Sequence, residues 1–284
     1  MKVSIITATY NSEKYLTDCL MSVKKQSHHD IEHIIVDGKS SDGTLNIINR
    51  NRNHIAHVIS ESDRGMYDAI NKGLSLATGD IVGILNSDDM LASEDVIANI
   101  VGCFESSGTD SVYGDLEFVD PEDIDVITRI WKGVTYNRNR FRWGWMPAHP
   151  TFYMKRSLLA SFGKYENHYY SAADYEFMAR YLFKHKISSV YLEQMVVKMR
   201  TGGASNGNIK RRLRANRRDY LAMKKNSIPF SFFVSILKPI SKIHQYKNNI
   251  SKQVAKQFPR NTKLSSKSIS SNSTSAKPHV SFSE

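Results

Sequence analysis

Cysteine is almost missing from this sequence. Cys19 and Cys103 are the only two in 284 residues. They share no metal-like spacing and each sits in an apolar helical pattern. A disulfide scaffold and a thiolate metal centre are thereby excluded, and reduced core thiols in a cytoplasmic protein are expected. Long apolar runs are missing too. None approaches the ~20 residues of a membrane-spanning helix. The opening MKVSIITATYN meets Asn11, Glu13 and Lys14 too early for a signal peptide. Glycine is absent from Ala8-Thr9-Tyr10-Asn11-Ser12-Glu13, where a nicotinamide dehydrogenase needs a glycine-rich turn. No GxxxxGK[ST] occurs, which excludes a P-loop NTPase.

Acids are scarce in one region only. Residues 200–284 hold Asp219 and Glu284 as their sole carboxylates and carry a net +16, while residues 1–199 carry −5, together the chain's +11. An acidic front and a basic back suggest two jobs, with an anionic surface as the partner of the back. Hydrophobic residues make up 40% and aromatics 10%, enough for a substantial core.

The front alternates strand and helix patterns. Lys2–Thr9, Glu32–Asp37, His57–Ser60 and Asp80–Leu85 read as strands. Helices are expected from Tyr15 to Val23 (capped by Asn11 or Ser12), after Ser41-Asp42-Gly43, over Met66–Ala77, and through Val96–Phe104. This alternation predicts a doubly wound, mostly parallel α/β sheet. Ligands bind such sheets beyond the carboxyl ends of the strands. Thr9-Tyr10-Asn11, Asp37-Gly38 and Asn86-Ser87-Asp88-Asp89 all fall there. After Ser111 the pattern changes: Val112–Val119 and Val126–Trp131 read as a hairpin or mixed strands. An aromatic stretch, Phe141–Pro150, follows. Then come a helix over Asp174–Lys184 and two short strands, Ser188–Leu192 and Met195–Arg200. The expected division is 1–110 and 111–205 as two halves of an α/β unit, 206–260 as a basic helical extension, and 261–284 as a disordered tail.

Several residues could carry chemistry. Asp88 and Asp89 are adjacent carboxylates at a buried strand's end. They repel unless neutralised, which suits a hard divalent cation bridging to a diphosphate; a helix N-terminus is the plainer explanation. Asp37 could accept hydrogen bonds from a nucleobase or ribose, or simply form a turn before Gly38. Arg64 and Lys72 could meet phosphates, with Asp68 and Asn71 on the same face, or all could form surface ion pairs. Asp174 is either a general base or an N-cap. His149 could line a pocket or satisfy a loop. Trp143 and Trp145 could stack on a sugar ring or belong to the core.

Taken in order, VSIITATYNSEKYL, EHIIVDGKSSDGT, SESDRGMYDAINKG, TGDIVGILNSDD, VYGD, HPTF and AADYEF resemble the family 2 nucleotide-sugar glycosyltransferases of GT-A fold. The resemblance runs from Val3 to about Gly203. It implies inverting transfer of a sugar from a nucleoside diphosphate to an acceptor hydroxyl, with Mn²⁺ or Mg²⁺. On that footing Thr7–Tyr10 and Asp37 hold the nucleobase and ribose, and Arg64, Asp68 and Asp88 belong to the nucleotide site. Asp89 is the metal ligand and Asp174 the general base. His149, Trp145 and Glu176 are acceptor-side candidates, Glu176 being next in line as base. One departure is Asn86, where many members carry Asp. A UDP-sugar is favoured over a GDP-sugar. The sub-type is usual in bacterial surface-polysaccharide clusters, which points to a lipid-linked saccharide acceptor. The alternatives are a sugar-nucleotide-binding protein without catalysis, against which the four aspartates argue, and the dehydrogenase that the missing glycines oppose.

The basic region carries KRRLRANRRDYLAMKK at 210–225. Beyond it Phe232, Phe233, Ile236, Leu237, Ile240 and Ile243 recur at helical spacing among lysines. An apolar stripe flanked by lysines fits a helix in a membrane interface, or one packed on the catalytic unit. Nucleic acid would leave the stripe without a use. A peripheral enzyme on the inner face of the cytoplasmic membrane is the expectation.

Overall fold

The structure is a computed structural model describing residues 1–202 and 209–229. Four strands form the parallel part of one sheet: β1 (Val3–Thr9), β2 (Ile31–Asp37), β3 (His57–Ser60) and β4 (Ile81–Ile84), in the order β3-β2-β1-β4. β4 is apolar and buried throughout, and β1 and β2 are buried along nearly their whole length, as suits strands covered on both faces. Side-chain alternation divides those faces. Val3 and Ile5 pack with α1 (Leu16–Lys24) and α4 (Val96–Ser107). Ile6, Ile34 and Val36 pack with α3 (Met66–Leu76). α2 (Thr44–Arg50) adds Ile48 to a smaller cluster with Leu16, Leu20 and Ile35. α3 lies close on β1: a Cβ at Gly73 would stand 2.4 Å from Ile6 Cγ2.

The sheet continues without a break into a mixed half. β4 pairs antiparallel with β8 (Tyr153–Lys155), and β8 with β6 (Ser111–Val119). β6 takes β7 (Ile127–Trp131) antiparallel and β9 (Ser189–Arg200) parallel; β9 then pairs with β5 (Met90–Leu91). α5 (Leu158–Phe162), α6 (Ala173–Met178) and α7 (Ile209–Lys225) are the remaining α-helices among the described residues. The expected α/β architecture is thus present, with the parallel strands gathered in the front half. No helix among the described residues is long and apolar enough to cross a membrane.

Three local expectations change. The two strands expected over 188–200 are the single β9. Its polar Glu193 and Gln194 lie where its register to β6 jumps from Tyr113↔Tyr191 to Asp115↔Met195. Gly114 leaves room there, since a Cβ would meet Val196 at 2.5 Å. The helix expected over 174–184 is α6 continued by a π-helical turn, Ala179–Lys184. Neither Asn11 nor Ser12 caps α1 through its side chain, because Asn11 Oδ1 accepts from the Ser41 amide and Ser12 Oγ meets Ser87 Oγ. The stripe from Phe232 to Ile243 and the tail at 261–284 lie outside the described residues.

His33 lies within β2, 2% exposed, with Nε2 3.0 Å from Thr7 Oγ1. Burial pushes its imidazole down to about 4 from an ordinary 6.5. Between those values the unfolded chain binds a proton that the folded chain refuses, so His33 costs stability as pH falls. His33→Gln carries no titrating group. In thermal melts from pH 7 to pH 4 the wild type should lose about 3 kcal/mol relative to this variant. Parallel curves would contradict the assignment.

Candidate active site

Parallel strands in register end together. Thr9 stands opposite Asp37, and Asp37 opposite Ser60, so the turns after β1, β2 and β3 share one edge. The Asp37 carboxylate is fully buried and accepts from the Ser40 amide at 3.1 Å, from Ser60 Oγ at 2.6 Å and from Ser40 Oγ. A carboxylate offers about four acceptor sites, so one stays available to a ligand. A Cβ on Gly38 would stand 2.5 Å from Asp63 Oδ2 and 3.3 Å from the Tyr10 ring. Tyr10, 64% exposed, is therefore an open ring beside Asp37 and Asp63. Thr7 is not part of this edge. It is fully buried two residues deeper in β1, facing Cys19 Sγ at 3.8 Å and His33. Strand alternation turns it toward α1.

The acidic motif follows β4. Asp89 is completely buried; Asn86 Nδ2 donates to its Oδ2 at 2.7 Å, and its Oδ1 has no hydrogen-bond partner. Burial first, then the charge of Asp88, pushes the Asp89 carboxyl well above the usual carboxylate range. Burial raises Asp88 as well. The helix N-terminus explanation fails, because β5 intervenes and Asp95 occupies the start of α4. Arg200 comes instead from the end of β9. It donates to the Asp88 carbonyl at 2.9 Å and to Asp18 on α1, and it lies 4.4 Å from the Tyr15 ring. Its charge favours the ionised acids only in part. A buried carboxylate oxygen without a donor costs free energy unless a cation or proton meets it. The pair therefore fits a divalent cation. Among the described residues no three His, Cys, Asp or Glu converge, so phosphate oxygens or water would have to complete the shell.

At the start of α3, Arg64 and Asp68 form an ion pair at 3.1 Å, with Arg64 84% exposed. Asp68 also accepts from Asn167 Nδ2 at 3.1 Å. Asn167 precedes the segment that carries Asp174, which lies in the first turn of α6. The N-cap position there is Ala172, so Asp174 has no capping duty. Its Oδ1 accepts from the Tyr175 amide at 2.7 Å. His149 is buried and hydrogen-bonds the Tyr165 hydroxyl at 2.7 Å. Burial lowers the imidazole's proton affinity, and the nearby Asp174 charge opposes that. Burial raises the Tyr67 and Tyr165 phenols, with Asp174 adding to the effect. Asp174 is thus a part-exposed carboxylate among three groups that stay neutral near pH 7.

Glu176 is withdrawn from the acceptor side. It is fully buried, takes Arg180 at 3.0–3.3 Å, and receives Lys225 at 3.4 Å and Asn226 Nδ2 at 3.3 Å. Trp145 is half-buried, its ring edge-on to Phe141 at 5.5 Å and Tyr113 at 5.9 Å; Trp143 is the open ring, 76% exposed. Sequence reasoning missed Arg200 and Tyr165. Arg200 had a signal, a lone Arg ending an apolar strand; Tyr165 had none.

Comparison with known proteins agrees with this geometry. The glycosyl transferase family 2 model matches residues 4–163. The PGL/p-HBAD biosynthesis glycosyltransferase of Mycobacterium tuberculosis is 31% identical over 208 residues, covering 72% of this chain and 78% of that protein. Among solved structures, S. aureus TarS 1-349 in complex with UDP superposes with TM-score 0.62 at 21% identity, covering 92% of this chain and 74% of that one. The chain spans 46% of a longer TarS structure. The mannosyltransferase PcManGT from Pyrobaculum calidifontis, in complex with GDP-Man and Mn²⁺, gives 0.60 at 18% identity, with 90% and 75% covered. At such identities these structures establish the fold, which is GT-A.

Proposed function

The chain belongs to glycosyltransferase family 2, and we propose that it moves a sugar, with inversion, from a UDP-sugar to a saccharide hydroxyl. The observation that carries this reading is the Asp88–Asp89 pair, whose buried oxygen lacks a partner at the edge where β1, β2 and β4 end. TarS with UDP and PcManGT with GDP-Man and Mn²⁺ support a nucleotide-sugar donor and a metal.

In this reading residues 1–110 hold the donor and 111–205 the acceptor. Tyr10 stacks on the base, Asp37 and Asp63 meet base or ribose, and Arg64 meets the diphosphate. Asp89, with Asp88, holds Mn²⁺ or Mg²⁺, which would supply charge neutralisation for the leaving diphosphate. Asp174 takes the acceptor hydroxyl's proton as the new bond forms. Burial weakens His149 as a base and keeps the Tyr165 phenol protonated, so both neighbours of Asp174 are uncharged. Similarity to a PGL/p-HBAD biosynthesis enzyme supports a role in making a cell-surface glycan, and in this reading the acceptor is lipid-linked. The net +16 of residues 200–284 supports a place on the inner face of the cytoplasmic membrane.

Turnover is read as UDP release from the UDP-sugar that the intact chain consumes fastest, with water or added saccharide as acceptor. Asp174→Asn should lower it by ~10²–10⁴-fold while UDP still binds. Near wild-type turnover would remove Asp174 from this role. Asp89→Ala should reduce UDP affinity measured with Mn²⁺ to the level seen in EDTA. An affinity unchanged by both the substitution and EDTA would end the metal assignment. The intact chain should sediment with phosphatidylglycerol vesicles, less so in high salt. Deletion must begin after Pro229, because Asn226 and Ile228 are buried against the catalytic unit. Removing 230–284 should abolish sedimentation and spare UDP binding. Undiminished sedimentation of the truncated chain would count against the membrane role.

A further inference from the structure

The segment that carries Asp174 is gripped from the donor side. One face of α3 presents Tyr67, Asp68 and Asn71. The Asn71 amide meets the Tyr165 backbone twice: Nδ2 donates to its carbonyl at 2.8 Å, and Oδ1 accepts its N–H at 2.9 Å. A side-chain amide thus pairs with a peptide group as a neighbouring strand would. The same Nδ2 lies 3.2 Å from Asn167 Oδ1, and Asn167 Nδ2 donates to Asp68. Tyr67 completes the grip, its ring stacked on Tyr165 at 5.3 Å and its hydroxyl facing the Asp174 backbone amide.

Two observations give this contact more than a packing role. The gripped segment is not self-supporting: Tyr170 has φ 47° and ψ −118°, outside the regions ordinary for a residue with a side chain. Such backbone persists only where its surroundings impose it. The grip also sits one residue from the exposed Arg64, through Asp68, which holds Arg64 and Asn167 together. The anchor of the Asp174 segment is therefore built into the helix whose N-terminal end faces the donor.

We propose that Asn71 is a positioning residue for the transfer reaction. Its two-point bond to Tyr165 docks residues 165–174 on α3 and so fixes where the Asp174 carboxylate stands relative to the donor. This rests on Asp174 being the general base. Asn71 itself touches neither sugar nor acceptor. Its effect is on orientation, where a misplacement of about 1 Å lowers rate by roughly 10²-fold.

A double-mutant cycle on the full chain tests this. Asn71→Leu keeps the branched heavy-atom skeleton, though bulkier, and loses both bonds, while Asn71→Asp keeps the acceptor for the Tyr165 N–H and loses the donor. Asn71→Leu should lower kcat of UDP release by ~10–100-fold and leave UDP affinity within about twofold. It should lower kcat little further in an Asp174→Asn background, because the two residues act as one. Equal losses in both backgrounds, or wild-type kcat in a folded Asn71→Leu, would overturn the proposal. Near wild-type turnover of Asp174→Asn alone would overturn the base reading and this proposal with it, and that single variant separates the two failures. Asn71→Asp runs the same cycle if Asn71→Leu does not fold. Amide hydrogen exchange reads the docking without substrate. Either variant should speed exchange at residues 165–174 and leave β1 unchanged; undiminished protection there would refute the docking.

Discussion

The placement of β1 between two parallel partners governs this molecule. Because β1 is in register with β2 on one side and β4 on the other, three chains leave the sheet at one edge. Past that edge the peptide groups have no ladder partners, so polar side chains and turns must satisfy them. Asp37, Ser40, Asn11 and Ser41 do so among themselves. The same edge receives the N-terminal end of α3, seated on β1 at Gly73. The strand edge and the helix that reaches toward Tyr165 and Asn167 are therefore one construction.

The acidic loop is stabilised from a distance. Asp88 and Asp89 leave β4 and enter β5, and β5 is paired to the end of β9. That pairing brings Arg200 under the loop, where it binds the Asp88 carbonyl and ties in Asp18 of α1. Asn86 contributes a neutral donor to Asp89, where a third carboxylate would add repulsion. The loop is thus shaped by hydrogen bonds and one arginine, while one buried carboxylate oxygen is left unpaired.

Much of this was legible in the sequence, because the features in question are local. Apolar runs and turn residues marked the parallel strands, and polar clusters at their ends marked the edge. Asp37, Asp88 and Asp89 stood out for the same reason, and Asp174 through the resemblance carried by AADYEF. Thr7 was misread because a motif does not say which face of a strand a side chain takes; two residues' depth and one alternation put it against Cys19. Glu176 was misread because its partners come from Arg180 and from Lys225 and Asn226, half a hundred residues on, and only packing reveals that they seal it from solvent. Tyr165 and Arg200 act across separations that no single sequence displays.

The unbroken sheet has one more consequence. β4, the last of the four parallel strands, owes one edge to β8 of the mixed half. The seam between the halves is a row of peptide hydrogen bonds rather than a linker. A fragment ending near residue 110 would bare Ile81, Val82 and Ile84 on an open strand, the kind of edge that recruits other chains. Exchange of the mixed halves between relatives would therefore have to preserve the backbone pairing of Tyr153–Lys155. Loops may vary between such hybrids, but the crossover point is confined by the ladder.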